Sequence, residues 1–148
     1  MSEPFRFRFR VRYSECDAQK VVFNSRYGDY VDLAVLEFFR ALGFSATLFN
    51  GPLDYQVVRL LLEWKGSARF DDILEASVAT RRTGNTSFTM AVEFRLAGTE
   101  AVIASAEIVY VLIDSSTMSK ANLPDNLRSA IERGLAGVVV DHSGTRGA

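Results

Sequence analysis

The stretch YSECDAQKVVFNSRY, residues 13–27, decides how this chain of 148 residues is interpreted. It joins a segment in which polarity alternates to a long segment with helical periodicity. One carboxylate, Asp17, lies just ahead of the apolar run at 21–23. A carboxylate near a helix N-terminus and beside apolar side chains is a common arrangement in hydrolytic sites. The other interpretation of Asp17 is a turn residue whose side chain bonds to nearby backbone.

On the N-terminal side of this stretch, residues 5–13 alternate strictly between apolar residues and arginines. A period of two predicts a half-buried β-strand with its apolar positions facing the core. A basic β-ribbon can bind DNA, but the formal net charge is −1 and this stripe is a small electrostatic footprint. We therefore predict no nucleic-acid partner, and expect the arginines to protect an edge strand and to pair with carboxylates. They are Arg6, Arg8, Arg10 and Arg12.

On the C-terminal side, the apolar spacing predicts one long helix that ends near Gly43, where a left-handed residue is expected. Either Asn24 or Ser25 can serve as its N-cap. A second face of this helix is also largely apolar, which predicts burial on several sides. The main apolar stripe consists of Tyr27, Val31, Ala34, Val35, Phe38 and Leu42.

The rest of the chain predicts a run of strands and a short final helix. The helix follows Pro124, and the four β segments are 56–65, 73–82, 87–96 and 101–113. A strand, a long buried helix and then a run of strands predict an α+β fold with an antiparallel sheet wrapped on one central helix. Two folds fit this order: the five-stranded hotdog fold and the cystatin-like cone.

We place a single domain in residues 1–134 and predict a flexible tail in 135–148, although the valines at 138–140 could dock. The N-terminus has no apolar signal region, and no apolar run approaches the roughly 20 residues that span a bilayer. The single cysteine excludes an internal disulfide framework and suits a reducing compartment. These features predict a cytoplasmic protein with no membrane partner.

Several kinds of catalytic site are excluded by the residues that the chain lacks. The only histidine, His142, lies in the predicted tail, so a serine or cysteine nucleophile has no base. The chain has no Cys/His cluster for zinc and no glycine-rich phosphate loop. A hydrolase built from this sequence must therefore use carboxylates, backbone dipoles and neutral polar groups. We interpret Glu37 and Glu63 as solvated or arginine-paired surface residues rather than as catalytic groups.

The pattern Tyr13-x-x-x-Asp17-x-x-x-Val21-Val22-Phe23-Asn24-x-x-Tyr27, followed by a long helix, resembles the signature of the 4-hydroxybenzoyl-CoA thioesterase family of hotdog proteins. The likeness continues through the turn at 70–72 and the strand start at 87–88. It implies a five-stranded antiparallel sheet around one long helix, and hydrolysis of an acyl-CoA thioester without a cofactor. It also implies sites at the interface of a homodimer, or of a dimer of dimers.

By this resemblance Asp17 is the catalytic carboxylate, which attacks the thioester carbonyl or activates a water. Asn24 hydrogen-bonds the carbonyl or the water, and backbone N–H groups at the helix start stabilise the oxyanion. Arg81 and Arg82 are the best candidates for binding the anionic end of coenzyme A. The candidates for the acyl site are Val22, Phe23, Tyr27 and Tyr30.

The chain departs from the family pattern at three positions. Lys20 stands where the family usually has glycine, Asn24 where it often has histidine or tyrosine, and Arg26 where it often has asparagine. An asparagine can hydrogen-bond a carbonyl but cannot carry protons as histidine does. These departures favour an alternative function: a non-catalytic hotdog or cone-like protein that binds acyl groups or small hydrophobic ligands.

Overall fold

The computed structural model describes residues 3–144, which form six strands and two α-helices in one sheet-and-helix unit. The strand order across the sheet is β2-β5-β4-β3-β1-β6. All neighbouring strands pair antiparallel except β1 and β6. In chain order the elements are β1 (Phe5–Arg10), α1 (Arg26–Ala41), β2 (Leu53–Trp64), β3 (Ile73–Thr83), β4 (Ser87–Leu96), β5 (Val102–Asp114), α2 (Asp125–Arg133) and β6 (Val139–Asp141).

The core lies between α1 and the sheet, as the helix periodicity predicts. Phe38 of α1 packs edge-on against Phe5, with ring centroids 5.5 Å apart, and Tyr30 packs against Phe9 at 4.7 Å. The helix ends at Ala41, and Gly43, just beyond it, has the expected left-handed conformation with φ of +89°. Within residues 3–144, neither helix combines the length and the apolar character that crossing a bilayer requires.

The first strand is shorter than predicted, because apolar residues and arginines alternate up to residue 13 although the strand ends at Arg10. β1 ends at Arg10, and residues 13–15 form a turn of 3-10 helix. The backbone N–H of Val11 still donates to the carbonyl oxygen of Asp72 (2.8 Å), so the chain leaves the sheet just after Val11. Phe5, Phe7 and Phe9 are buried, in agreement with the predicted inner face.

The prediction of a five-stranded antiparallel sheet was wrong in detail, while the predicted short helix after Pro124 is observed as α2. A sixth strand, β6, pairs parallel to the outer edge of β1, with Val139 opposite Arg6. That edge of β1 would otherwise present unpaired N–H and C=O groups. The main chain of His142 joins the same edge by donating to the carbonyl oxygen of Arg8 (2.8 Å). Residues 138–140 therefore dock on the sheet. Residues 145–148 of the predicted tail lie outside the described residues. The predicted domain limits remain a prediction.

The arginines of β1 pair with carboxylates, as expected for a stripe on the outer face of a sheet. Arg8 Nε lies 2.7 Å from a carboxylate oxygen of Glu75, and Arg6 contacts the other oxygen at 3.5 Å. Arg10 lies 3.1 Å from Asp71. The positive charge of this stripe is therefore locally offset.

Candidate active site

Asp17 opens a tight loop in the segment that connects β1 to α1, and we call residues 13–25 the turn segment. The backbone N–H of Asp17 donates to the carbonyl oxygen of Val21 (2.9 Å), and the N–H of Lys20 donates to the carbonyl oxygen of Asp17 (2.9 Å). The ends of the loop are joined by a bridge between Cys16 and Val22. The loop therefore fixes the backbone of Asp17 from both sides.

The side chain of Asp17 is half-buried, and only one of its oxygens is occupied. Oδ1 accepts a hydrogen bond from the backbone N–H of Gln19 (2.8 Å), which is the Asx-turn that the simpler interpretation predicts. Oδ2 accepts no hydrogen bond from the described residues. One oxygen thus orients the carboxylate, and the other is available for chemistry.

Lys20 adopts a left-handed backbone conformation, with φ of +66°. This conformation is strained for a residue with a Cβ and comfortable for glycine. The loop therefore has the backbone shape that a glycine would allow, although the chain has lysine at this position.

A cavity of about 360 Å³ opens beside the carboxylate. Tyr13 and Phe70 form its aromatic wall, with ring centroids 5.5 Å apart in an edge-to-face contact. Both rings are largely exposed, at 79% and 52%. The cavity is lined by Tyr13, Cys16, Asp17, Lys20 and Phe70.

At the start of α1, the open N–H groups lie around Asn24, where we expected them, and the following three are occupied. The N–H groups of Arg26, Tyr27 and Gly28 donate to carbonyl oxygens three residues earlier, at 2.9, 3.2 and 3.3 Å. Ser25 occupies the N-cap position without a side-chain capping bond. The N–H groups of Asn24 and Ser25 have no acceptor in the part of the chain that the structure describes. They are the open donors at the positive end of the helix dipole.

Glu15 ties the turn segment to both neighbouring elements, and sequence reasoning missed it. Its Oε1 accepts hydrogen bonds from the backbone N–H of Arg12 (2.7 Å) and from the hydroxyl of Tyr30 (2.9 Å). Its carbonyl oxygen accepts from the N–H of Phe23 (2.9 Å). A glutamate that bonds to the N–H three residues back is a known local pattern. The contact with Tyr30 spans 15 residues and has no local signal.

Tyr30 acts as a hydrogen-bond donor in this network. Burial, reinforced by the hydrogen bond to Glu15 and by its negative charge, holds the pKa of Tyr30 well above its ordinary value. Tyr30 therefore stays protonated at neutral pH, and the carboxylate of Glu15 remains a fixed acceptor.

Cys16 lies next to Asp17 but is not activated as a nucleophile. Partial burial raises the pKa of the Cys16 thiol, and the nearby carboxylates of Glu15 and Asp17 raise it further. The thiolate is the reactive form of cysteine, so this environment favours an unreactive thiol.

The predicted acyl-site residues are distributed between the core and the surface. Val22 is buried in the core, while Phe23 and Asn24 are exposed. Tyr27 is buried against Tyr30, Trp64 and Phe94. Burial raises the pKa of Tyr27 to about 12, and its hydroxyl has no hydrogen-bond partner within residues 3–144. None of these residues lines the Asp17 cavity.

Tyr30 instead borders a second cavity of about 510 Å³ on the other side of the Tyr13–Phe70 pair. Glu37 also lines this cavity and is buried, with Arg40 Nε 3.1 Å from its carboxylate. The expected arginine pairing of Glu37 is observed, but its expected exposure is not.

Arg81 and Arg82 lie near the end of β3 and do not border the Asp17 cavity of their own subunit. Both side chains are exposed. Arg81 lines a shallow cavity of about 400 Å³ on the sheet together with three carboxylates, those of Glu63, Glu93 and Glu107. The structure thus places Asp17 and the open amides of Asn24 and Ser25 in the same turn segment, and it leaves the predicted phosphate contacts in another region.

Comparisons with known proteins agree with this architecture. The chain matches the thioesterase-like superfamily over residues 11–131. It is 27% identical over 128 residues to the acyl-CoA thioesterase YbgC of Haemophilus influenzae, a match that covers 85% of this chain and 93% of that protein. The gentisyl-coenzyme A thioesterase BH1999 superposes with a TM-score of 0.76 at 25% identity, covering 84% of this chain and 98% of that one. A 1,4-dihydroxy-2-naphthoyl-CoA thioesterase from Synechocystis has the same fold, with a TM-score of 0.76 at 20% identity over 86% of this chain and 94% of its own.

Proposed function

Because this chain belongs to the thioesterase-like superfamily, we propose that it is an acyl-CoA thioesterase, which hydrolyses its substrate to a free acid and coenzyme A. Membership makes the chain a thioester hydrolase, and the names of its relatives support acyl-CoA as the substrate. The signature in the turn segment supports placing it with the 4-hydroxybenzoyl-CoA thioesterases. One observation carries the proposal: a half-buried carboxylate with one free oxygen lines a cavity, and it lies in the same turn segment as two open backbone donors.

In the proposed reaction the thioester carbonyl enters the Asp17 cavity. Asp17 Oδ2 either attacks the carbonyl carbon or removes a proton from an attacking water, and the sulfur of coenzyme A leaves as the tetrahedral centre collapses. Direct attack leaves the acyl group on Asp17 as a mixed anhydride, which a water molecule then hydrolyses to the free acid and the regenerated carboxylate. Oδ1 holds the carboxylate in place through its bond from Gln19. In a single turnover in ¹⁸O-water, a general base puts the label in the released acid, whereas direct attack followed by hydrolysis at the carboxyl carbon of Asp17 releases unlabelled acid and leaves the label in Asp17.

The developing oxyanion is stabilised by the N–H groups of Asn24 and Ser25. One such donor typically contributes about 3 kcal/mol to transition-state stabilisation, and the positive end of the α1 dipole adds to it. The side-chain amide of Asn24 is exposed and can donate to the same carbonyl. It cannot transfer a proton, so the acid–base work falls to Asp17 and water.

We also propose that two chains pair through β2 as a homodimer, which itself can pair into a dimer of dimers. β2 is the outermost strand, and no described strand covers its free edge. A long edge strand with exposed apolar side chains is a template for pairing. Trp64 at its end contacts Tyr27 in the first turn of α1, so this edge adjoins the helix start. The exposed apolar residues of β2 are Val57, Val58, Leu60, Leu61 and Trp64.

If Arg81 and Arg82 bind the phosphates of coenzyme A, they do so across such a dimer, since neither borders the cavity of its own subunit. Light scattering on the purified chain tests the assembly directly. A monomeric mass would contradict the proposed dimer.

The proposal is tested by free-thiol release from a panel of acyl-CoAs with wild type and Asp17→Asn. Asparagine keeps the turn-forming oxygen and removes the reactive charge, so we expect kcat to fall by about 10²–10⁴-fold. Asp114→Asn is the matched control, because Asp114 Oδ1 accepts from the N–H two residues on in the same way and lies outside both cavities at the site. Equal rates for wild type and Asp17→Asn would remove Asp17 from the chemistry. Binding without turnover in both would support the acyl-binding alternative.

A further inference from the structure

Two cavities meet at one pair of aromatic side chains. The Asp17 cavity (about 360 Å³) and the second cavity (about 510 Å³) have only Tyr13 and Phe70 in common among their lining residues. The two rings are in edge-to-face contact, with centroids 5.5 Å apart. That distance leaves no space between the rings, so the pair forms a wall between the two cavities.

The wall is held by backbone contacts at both of its bases. Tyr13 begins a 3-10 turn, in which its carbonyl oxygen accepts from the N–H of Cys16 (3.2 Å). Phe70 lies in a tight turn before β3, in which Asp72 accepts from the N–H of Arg69 (2.8 Å). The next residue, Asp71, donates its N–H to Val11 (3.1 Å). Each ring is therefore attached to a fixed point, which a selective wall requires.

The second cavity is suited to an apolar chain. Its aromatic wall includes Phe7 and Phe9, which are stacked with centroids 5.3 Å apart. Most of its charged groups already have partners: Glu37 pairs with Arg40, Arg10 with Asp71, and Glu15 accepts from Tyr30. The side chain of Arg12 also lines the cavity. An alkyl chain that entered this cavity would contact the rings without removing these partners.

We propose that Tyr13 and Phe70 set the longest acyl group that the enzyme accepts, by closing the Asp17 cavity against the second cavity. This inference rests on the proposed function, because it assigns the acyl group to the Asp17 side of the wall. An acyl chain longer than the first cavity must displace a ring or extend past the exposed rings into water, where its extra methylenes are not buried. With either ring removed, the extra methylenes enter the second cavity and are buried.

The experiment measures kcat/KM for a series of straight-chain acyl-CoAs, from acetyl to palmitoyl, with wild type, Phe70→Ala, Tyr13→Ala and the double variant. Met118→Ala is the matched control, since Met118 is an exposed apolar side chain (58%) that lines neither cavity. We expect the wall variants to accept longer chains, with a gain of about fourfold for each methylene beyond the wild-type limit. We expect Tyr13→Ala to fold normally, because the Tyr13 side chain is 79% exposed. It keeps the test informative if Phe70→Ala does not fold.

The same series is measured as binding of non-hydrolysable acyl-CoA thioethers by calorimetry. If wild type hydrolyses no acyl-CoA, the proposed function fails, while the length dependence of thioether binding still decides the role of the wall. If the wall variants change kcat/KM and affinity by one common factor at all chain lengths, the wall does not select the acyl group and the inference is overturned.

Discussion

The turn segment and the hairpin between β3 and β4 were both predicted to serve the site, and the structure builds them in different ways. In the turn segment, Asp17 is fixed by backbone bonds on both sides and by a bond to one of its own oxygens. In the hairpin, Arg81 and Arg82 are exposed, and no hydrogen bond or ion pair within residues 3–144 holds either guanidinium. Bond cleavage requires fixed geometry, whereas attraction of a phosphate requires only nearby charge. The two regions should therefore respond differently to substitution.

The contrast between the turn segment and the hairpin predicts its largest effect on kcat and stability for substitutions of Glu15, which we regard as a positioning residue for Asp17. Glu15→Ala leaves the N–H of Arg12 and the buried hydroxyl of Tyr30 without their acceptor, at a cost of about 1–3 kcal/mol in unfolding free energy for each buried group. Because the loop that carries Asp17 then shifts, we expect kcat to fall by about 10–100-fold with little change in KM. Denaturant unfolding and steady-state kinetics measure the two effects.

Glu15→Gln and Tyr30→Phe sharpen that prediction. Glutamine keeps an acceptor for both donors and should restore most of the lost kcat. Tyr30→Phe removes the donor that bridges to α1 and leaves no buried hydroxyl unpaired, so it should cost only about 1 kcal/mol. A uniform loss of stability in all three variants with kcat unchanged would show that Glu15 stabilises the fold without positioning Asp17.

What the sequence predicted well depends on local patterns. The alternation at 5–9 and the helical stripe of α1 are properties of neighbouring residues, and both are found as predicted. The position of Asp17 between them follows from chain order alone. The left-handed Gly43 was also predictable, because glycine favours that conformation.

What the sequence did not predict depends on contacts between distant residues or on backbone detail. β6 has three residues and gains its stability from the edge of β1, more than 130 residues away in the chain. The Glu15–Tyr30 bond requires the turn segment to fold back on α1. The three N–H groups that bond within the first turn of α1, those of Arg26, Tyr27 and Gly28, depend on backbone detail that no residue pattern indicates.

A smaller effect is expected at Lys20, where the turn segment holds strain that the hairpin arginines do not have. Lys20→Gly removes the left-handed penalty of about 1–2 kcal/mol and adds the entropy cost of glycine, about 0.5–1 kcal/mol. We therefore expect a net gain of about 0.5–1 kcal/mol in unfolding free energy. Gln19→Gly is the matched control in the same loop, because its φ is not positive, and it should be destabilised. Destabilisation of Lys20→Gly would mean that the lysine side chain contributes more than its backbone costs.

The smallest effect is expected in the hairpin, where charge acts without fixed geometry. Arg82→Ala should raise KM for acyl-CoA by about two- to fivefold, the range of an exposed ion pair. Arg81→Ala should change KM less, because Glu63 lines the same cavity and opposes its charge, while Glu93 and Glu107 pair with Arg95 and Arg59. Both effects should vanish at about 1 M salt, where the Debye length falls to about 3 Å, and for acyl-pantetheine, which lacks the nucleotide. A loss that persists in salt, or that appears in kcat, would mean that the hairpin holds its ligand as rigidly as the turn segment holds Asp17, and the contrast between the two regions would disappear.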